Sequence, residues 1–246
     1  MKKILLITIP SLILLILSIY FYSMKRIEGS WVIQYSIIGK DDSKIISPTS
    51  RFSSIKNGEI KNYVFGIENK NNIDDYSKYF AFGNFLRLTR QDKSKTRFIF
   101  NVDKLNNDSL VLNQQNRDRL IIHKKIPKNL NNNIDLKKLI DKSFELKIGS
   151  STDTIYIDNS YLMFKKPNET FEKWNSDGWK LIKVNGFDIL LTGSSSTFIV
   201  NENNGKIYLN QFGLGTEIMR FELNEIVIDT KRVKQIVEEI KKINDY

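Results

Sequence analysis

Ile27-Glu28-Gly29-Ser30-Trp31-Val32-Ile33-Gln34-Tyr35-Ser36-Ile37 reads with a period of two: Trp31, Ile33, Tyr35 and Ile37 alternate with more polar neighbours. Alternation of this kind puts every second side chain on one buried face, as in an antiparallel sheet. The same period returns downstream in Tyr63, Phe65 and Ile67, in Phe98, Phe100 and Val102, and in Leu110 with Leu112. Turn-forming clusters separate the runs: Gly39-Lys40-Asp41-Asp42, Lys56-Asn57-Gly58, residues 69–72 and Asn106-Asn107-Asp108. Short strands punctuated in this way predict a barrel or sandwich over residues 27–126.

Downstream of that stretch, residues 127–133 form an Asn-rich connector. Asp135 then suits the N-cap of a short linker helix with Leu136, Leu139 and Ile140 on one side. Strand-like runs resume at 154–157, 161–164, 179–184, 187–191, 197–200, 206–209 and 218–223, so residues 127–246 are expected to form a second β-rich domain. No repeat of fixed period relates the two halves. The chain closes on a change of period. Val233, Ile236, Val237, Ile240 and Ile243 recur at helical spacing opposite Lys231, Lys234, Lys241 and Lys242, the pattern of an amphipathic helix that caps a sheet or docks on a membrane or partner.

Upstream lies an uncharged apolar run over residues 4–22, preceded by Lys2 and Lys3 and followed by Met24, Lys25 and Arg26. A helix of about 20 residues spans a hydrocarbon core about 30 Å thick. Export signals have shorter apolar regions and end in small residues. This run ends in Ile19-Tyr20-Phe21-Tyr22, whose aromatics suit an interfacial belt. Residues 1–26 are therefore expected to be an uncleaved signal-anchor that engages the membrane through residues 4–24; the alternative is a cleaved signal peptide. A short positive N-terminal tail favours an extracytoplasmic location, periplasmic or at the cell surface, for the rest.

Bulk composition narrows the function classes. The 246 residues are 41% hydrophobic and 27% charged, the balance of a globular chain. The formal charge of +10 comes from Lys and Arg spread along the whole length among Asp and Glu, which argues solubility and no nucleic-acid partner. With no Cys, disulfides, thiolate catalysis, Cys-ligated zinc and a lipidated cysteine are all excluded.

Gly29-Ser30-Trp31, opening an alternating strand, resembles the Gly-x-Trp start of lipocalin-like domains. The order of later segments is also similar: an early hairpin over 52–65, a middle strand over 84–88, and Asp108-Ser109-Leu110-Val111-Leu112 near the end. The resemblance covers about residues 27–126. It implies an up-and-down barrel whose interior can hold a ligand, with Trp31 plugging the closed end against an arginine near the last strand, for which Arg119 is the candidate. Tyr35, Tyr63, Phe65, Phe98 and Phe100 are the expected ligand-binding positions.

Catalytic chemistry finds little to use. His123 is the only imidazole, and its neighbours Leu120, Ile121 and Ile122 make it a strand residue. The adjacent carboxylates Asp41-Asp42, Asp74-Asp75 and Glu238-Glu239 do not face one another across a cleft. Gly193-Ser194-Ser195-Ser196 and Gly213-Leu214-Gly215 lack the spacing and the lysine of a phosphate loop. Trp174 and Trp179, bracketing Asp177-Gly178, form either an exposed aromatic interaction platform or part of the core.

The expectation is a mainly β, non-enzymatic protein with no cofactor and no metal: a membrane-anchored binding module for a small apolar ligand or lipid. The alternative is an envelope interaction, inhibitor or immunity protein acting on a protein partner.

Overall fold

The computed structural model describes residues 2–39, 44–65, 73–92, 94–114, 117–131, 134–148, 151–166, 175–194, 196–212 and 217–244. Asp41-Asp42, Ile67, Trp174 and Gly213-Leu214-Gly215 lie outside the described residues, as do the side chains of Asp74 and Asp75. The fold is mainly β, with two closed antiparallel barrels of eight strands each, an apolar N-terminal helix and a C-terminal helix. Chain contacts divide it into one unit of Met1–Tyr63 with Asn69–Ile126 and another of Val64–Glu68 with Pro127–Tyr246.

The first unit begins with α1 (Lys2–Arg26), the one described helix long and apolar enough to cross a membrane. Its barrel follows as β1 (Gly29–Ile38), β2 (Ile45–Lys56), β3 (Glu59–Tyr63), β4 (Ile73–Phe82), β5 (Phe85–Arg90), β6 (Arg97–Leu105), β7 (Ser109–Gln114) and β8 (Arg119–Lys125). Each strand pairs with its successor and β8 closes on β1, so no edge is left unpaired. Asn57 and Gly58, with φ of 53° and 80°, supply the left-handed pair that a two-residue hairpin turn requires.

Trp31 fills the end of this barrel nearest α1. It is fully buried, its Nε1 donates to the Ile27 carbonyl at 3.1 Å, and Lys125 Nζ lies 5.3 Å from the ring centroid. Gly29 permits the fit, since a Cβ there would sit 3.1 Å from Trp31 Nε1. Ile27, Ile55, Leu86 and Leu110 share one core with the indole, and Met24 of α1 packs against that core.

The last turn of α1 is built into the barrel wall. Ser23 is 1% exposed and its Oγ accepts from Gly83 N at 2.9 Å, while Tyr79 Oη donates to the Met24 carbonyl at 2.9 Å. Arg26 Nη2 bonds the Gly83 carbonyl and, at 3.0 Å, Asn84 Oδ1. Burial, with Glu28 nearby, pushes the Tyr79 hydroxyl up to about 12.

The second barrel runs β9 (Lys142–Ile148), β10 (Ser151–Ile157), β11 (Tyr161–Lys165), β12 (Asn175–Val184), β13 (Phe187–Thr192), β14 (Thr197–Asn203), β15 (Lys206–Phe212) and β16 (Ile218–Ile226), with β16 pairing back to β9. Asn185-Gly186 and Asn204-Gly205 make its tight hairpins, again with positive φ. The short linker helix is a single 3-10 turn, Leu136–Lys138, because the chain must enter β9 only four residues later. Asp135 does receive the Lys137 amide, at 3.0 Å. Ile155 and Ile157 face the barrel interior, so Tyr156 and Met163 point outward, where Val233 and Val237 of α2 (Thr230–Asn244) cover them. Burying that face is what holds the amphipathic helix in place.

Candidate functional site

Trp31, Ile27 and Met24 close one end of the first barrel, and a cavity of about 210 Å3 lies within its lining strands. Its apolar wall is contributed strand by strand: Ile33 from β1, Ile60 from β3, Leu88 from β5, Phe98 and Phe100 from β6, Leu112 from β7 and Ile121 from β8. Polar groups enter at Asn62, Gln114, Arg117, Arg119 and His123. No Asp or Glu is among the described lining residues. Asp118 stands between Arg117 and Arg119 in the β7–β8 turn, with φ of 41°.

Strand phase explains the set. Arg119, Ile121 and His123 alternate along β8 and so share the inner face, as do Leu112 with Gln114 and Ile60 with Asn62. Arg119 Nη2 donates to Ser36 Oγ at 3.3 Å, and the Arg117 guanidinium lies 5.9 Å from the Phe98 ring centroid. Burial first, then the cations of Arg117 and Arg51, lower the proton affinity of Arg119.

Three buried polar atoms of this lining have no hydrogen-bond partner: Asn62 Oδ1, Arg119 Nε and His123 Nδ1. An unpaired buried polar atom costs about 1–3 kcal/mol, so these lining residues carry unsatisfied hydrogen-bonding capacity. His123 is 5% exposed, and its burial holds the imidazole down at about 4, neutral at ordinary pH. A neutral imidazole, an amide and a guanidinium can orient a bound molecule by hydrogen bonds. No group of three or more His, Cys, Asp or Glu side chains suited to a metal occurs among the described residues.

Of the expected ligand positions, Phe98 and Phe100 line the cavity. Tyr35 does not. A bulge between Ile33 and Tyr35 inserts one residue into β1, so Tyr35 is opposite Ile122, an outward position, while Ser36 takes the inward place opposite Ile121. Tyr63 follows Asn62 on the strand and faces the other way, packed edge-on against Phe52 at 5.6 Å. Phe65 belongs with the second unit, where a Cβ on Gly178 would fall 2.5 Å from its ring.

Arg119 is not the partner of Trp31. Because β8 runs antiparallel to β1, Lys125 sits opposite Trp31 and Arg119 opposite Ile38, six residues or about 20 Å away. Trp179 is no exposed platform: it is 6% exposed in the second core, and its Nε1 donates to the Asp158 carbonyl at 2.8 Å. Asn62, Gln114, Arg117 and His123 were not foreseen as lining groups. Phase-matching along β8 from Ile121 would have found His123 and Arg119.

A second, polar hollow of about 390 Å3 lies in the second unit among Asn129, Asn131, Asn201, Glu202 and Arg220. Three of its groups are already engaged: Glu202 with Lys138 at 2.6 Å, Asn201 with Asn210 at 2.7 Å, and Arg220 stacked 3.6 Å from the Tyr208 centroid.

No family model matches the chain, and no curated protein matches it. Among solved structures it is similar to that of an uncharacterized protein from Bacteroides eggerthii, at 13% identity and a TM-score of 0.31, over 40% of this chain and 98% of the other. That degree of likeness carries no argument about function.

Proposed function

We propose that this protein is a membrane-anchored, extracytoplasmic binding module whose first barrel, lipocalin-like in type, holds a small ligand with an apolar body and an electron-rich polar end. The observation that carries the reading is the mixed lining of the cavity, in which apolar side chains from six strands are joined by Asn62, Gln114, Arg117, Arg119 and His123. The volume of about 210 Å3 lies below the roughly 300–1,000 Å3 of sites for drug-sized molecules, which favours a short ligand. Two guanidiniums on the lining, with no lining carboxylate, favour a carboxylate or similarly electron-rich head.

The lipocalin-like assignment is supported by the sequential eight-strand closure and by Gly29 and Trp31 sealing one end. Retention of the anchor is supported by Ser23, Met24 and Arg26: removing them would strip hydrogen bonds and core contacts from the barrel.

Calorimetric titration of the full chain in detergent with octanoate and with octanol tests the reading. Saturable octanoate binding, weaker for octanol and weakened about tenfold by Arg119→Met, is the expected result. Absence of saturable binding of either probe, with Leu88→Trp filling the cavity at no change in heat, would sink it.

A further inference from the structure

We infer that the β4–β5 hairpin is a second membrane contact, seating Phe80, Phe82 and Phe85 in the headgroup layer beside α1; this rests on the proposal that α1 spans the bilayer. The hairpin is pinned to the helix at the end of its apolar run. Ala81 N donates to Met24 Sδ at 3.2 Å, Gly83 N donates to Ser23 Oγ at 2.9 Å, and the Phe80 ring lies 5.6 Å from that of Tyr20. A run starting at residue 4 and rising about 1.5 Å per residue leaves a hydrocarbon core about 30 Å thick near residue 23. The hairpin tip at Gly83 therefore sits at the height where acyl chains give way to headgroups.

Its outer face is built for that layer. Tyr79, Ala81 and Leu86 point into the barrel core, which turns Phe80, Phe82 and Phe85 outward. Phe82 and Phe85 pair directly across the hairpin, and each is 37% exposed. Phe21 and Tyr22 of α1 are exposed at the same level, at 60% and 68%. Tyr gathers at membrane interfaces, Phe faces the acyl boundary on elements that lie in the interface, and exposed apolar rings in water are a liability. Basic groups accompany them. Arg87 lies 5.5 Å from the Phe80 centroid, and Arg26 and Lys25 follow the apolar run, Lys25 sharing Glu28 at 3.1 Å. Aromatic rings below cations match the acyl boundary and the phosphates above it.

The chain has no cysteine, so single labelling sites can be introduced cleanly. Phe82→Cys, Ser18→Cys and Gln91→Cys, each carrying an environment-sensitive fluorophore, would be reconstituted as full-length protein in phosphatidylcholine–phosphatidylglycerol vesicles. Nitroxide lipids labelled at the headgroup or deep in the acyl chain then report depth. Ser18 should be quenched best by the deep label, and Phe82 by the headgroup label, about threefold more than Gln91 at the opposite end of β5. Ser18 quenched while Phe82 behaves like Gln91 would overturn the hairpin inference and leave the anchor standing. Ser18 unquenched at both depths would overturn the spanning helix and the hairpin contact together.

Discussion

Arg119 Nη2 donates to Ser36 Oγ at 3.3 Å across the seam that closes the first barrel, and this bond leaves the buried Nε of the same guanidinium without a partner. Ser36 holds the arginine in place without satisfying it. Replacing the residue should therefore separate stability from binding. Arg119→Met is expected to stabilise the ligand-free protein by about 1 kcal/mol, by deleting an unpaired buried donor, while weakening octanoate binding. Chemical denaturation alongside calorimetry checks both halves; a destabilised variant with unchanged binding contradicts the assignment.

Lys125, rather than Arg119, faces the Trp31 ring. Trp31→Ala should cost about 3–5 kcal/mol, the usual penalty for emptying a fully buried aromatic site. Lys125→Met should cost about 0.5–1 kcal/mol, the scale of an exposed cation–π contact. Equilibrium unfolding of the two variants gives the ranking, and an equal cost for both would mean that the lysine does more than cover the ring.

His123 contributes a pH dependence of defined sign. Its imidazole titrates near 6.5 in the unfolded chain and is held at about 4 in the folded one by burial. Between those values the unfolded state binds a proton that the folded state does not, so stability falls as pH drops from 6.5 towards 4. The full loss is about 3 kcal/mol. His123→Gln should flatten the stability profile by that amount within this window and leave it unaltered above pH 7. Parallel profiles for the two proteins would show that the imidazole is not buried neutral.

Tyr79 ties β4 to the end of α1 through the Met24 carbonyl. Tyr79→Phe keeps the ring in the core and removes only that bond, at an expected cost of about 1 kcal/mol. Amide exchange at Gly83, whose N–H is held by Ser23 Oγ, should quicken in the same variant as the helix end loosens from the hairpin. Unchanged exchange at Gly83 would mean that the two bonds act independently.

Period-two alternation and Asn-Gly turns are local, which is why most strands of both halves and the terminal helices are legible in the residues, whereas β4 and β9 are not. What escaped is non-local. One bulge in β1 turns Tyr35 outward although its spacing from Trp31 and Ile33 places it inward. The pairing of Trp31 with Lys125 joins residues at opposite ends of the barrel sequence, and no local pattern encodes that register. In the second half, β9 hid behind the expected linker helix, and without it the remaining seven strands could not be closed into a ring. Phe98 and Phe100 were legible as inward residues because β6 is regular there. The polar members of the lining were not, because Asn62, Gln114 and His123 occupy inward positions on strands whose neighbours also include outward apolar residues.

Because the end of α1 forms part of the barrel wall, there is no swivel between stalk and cup. The arginine-bearing rim, at the far end of β1 from the helix, then points away from the lipid on the proposed topology, at a height set by strand length. On that topology a molecule dissolved in the bilayer would have no direct way in. Cargo would have to arrive through water, which selects amphiphiles soluble enough to make that crossing.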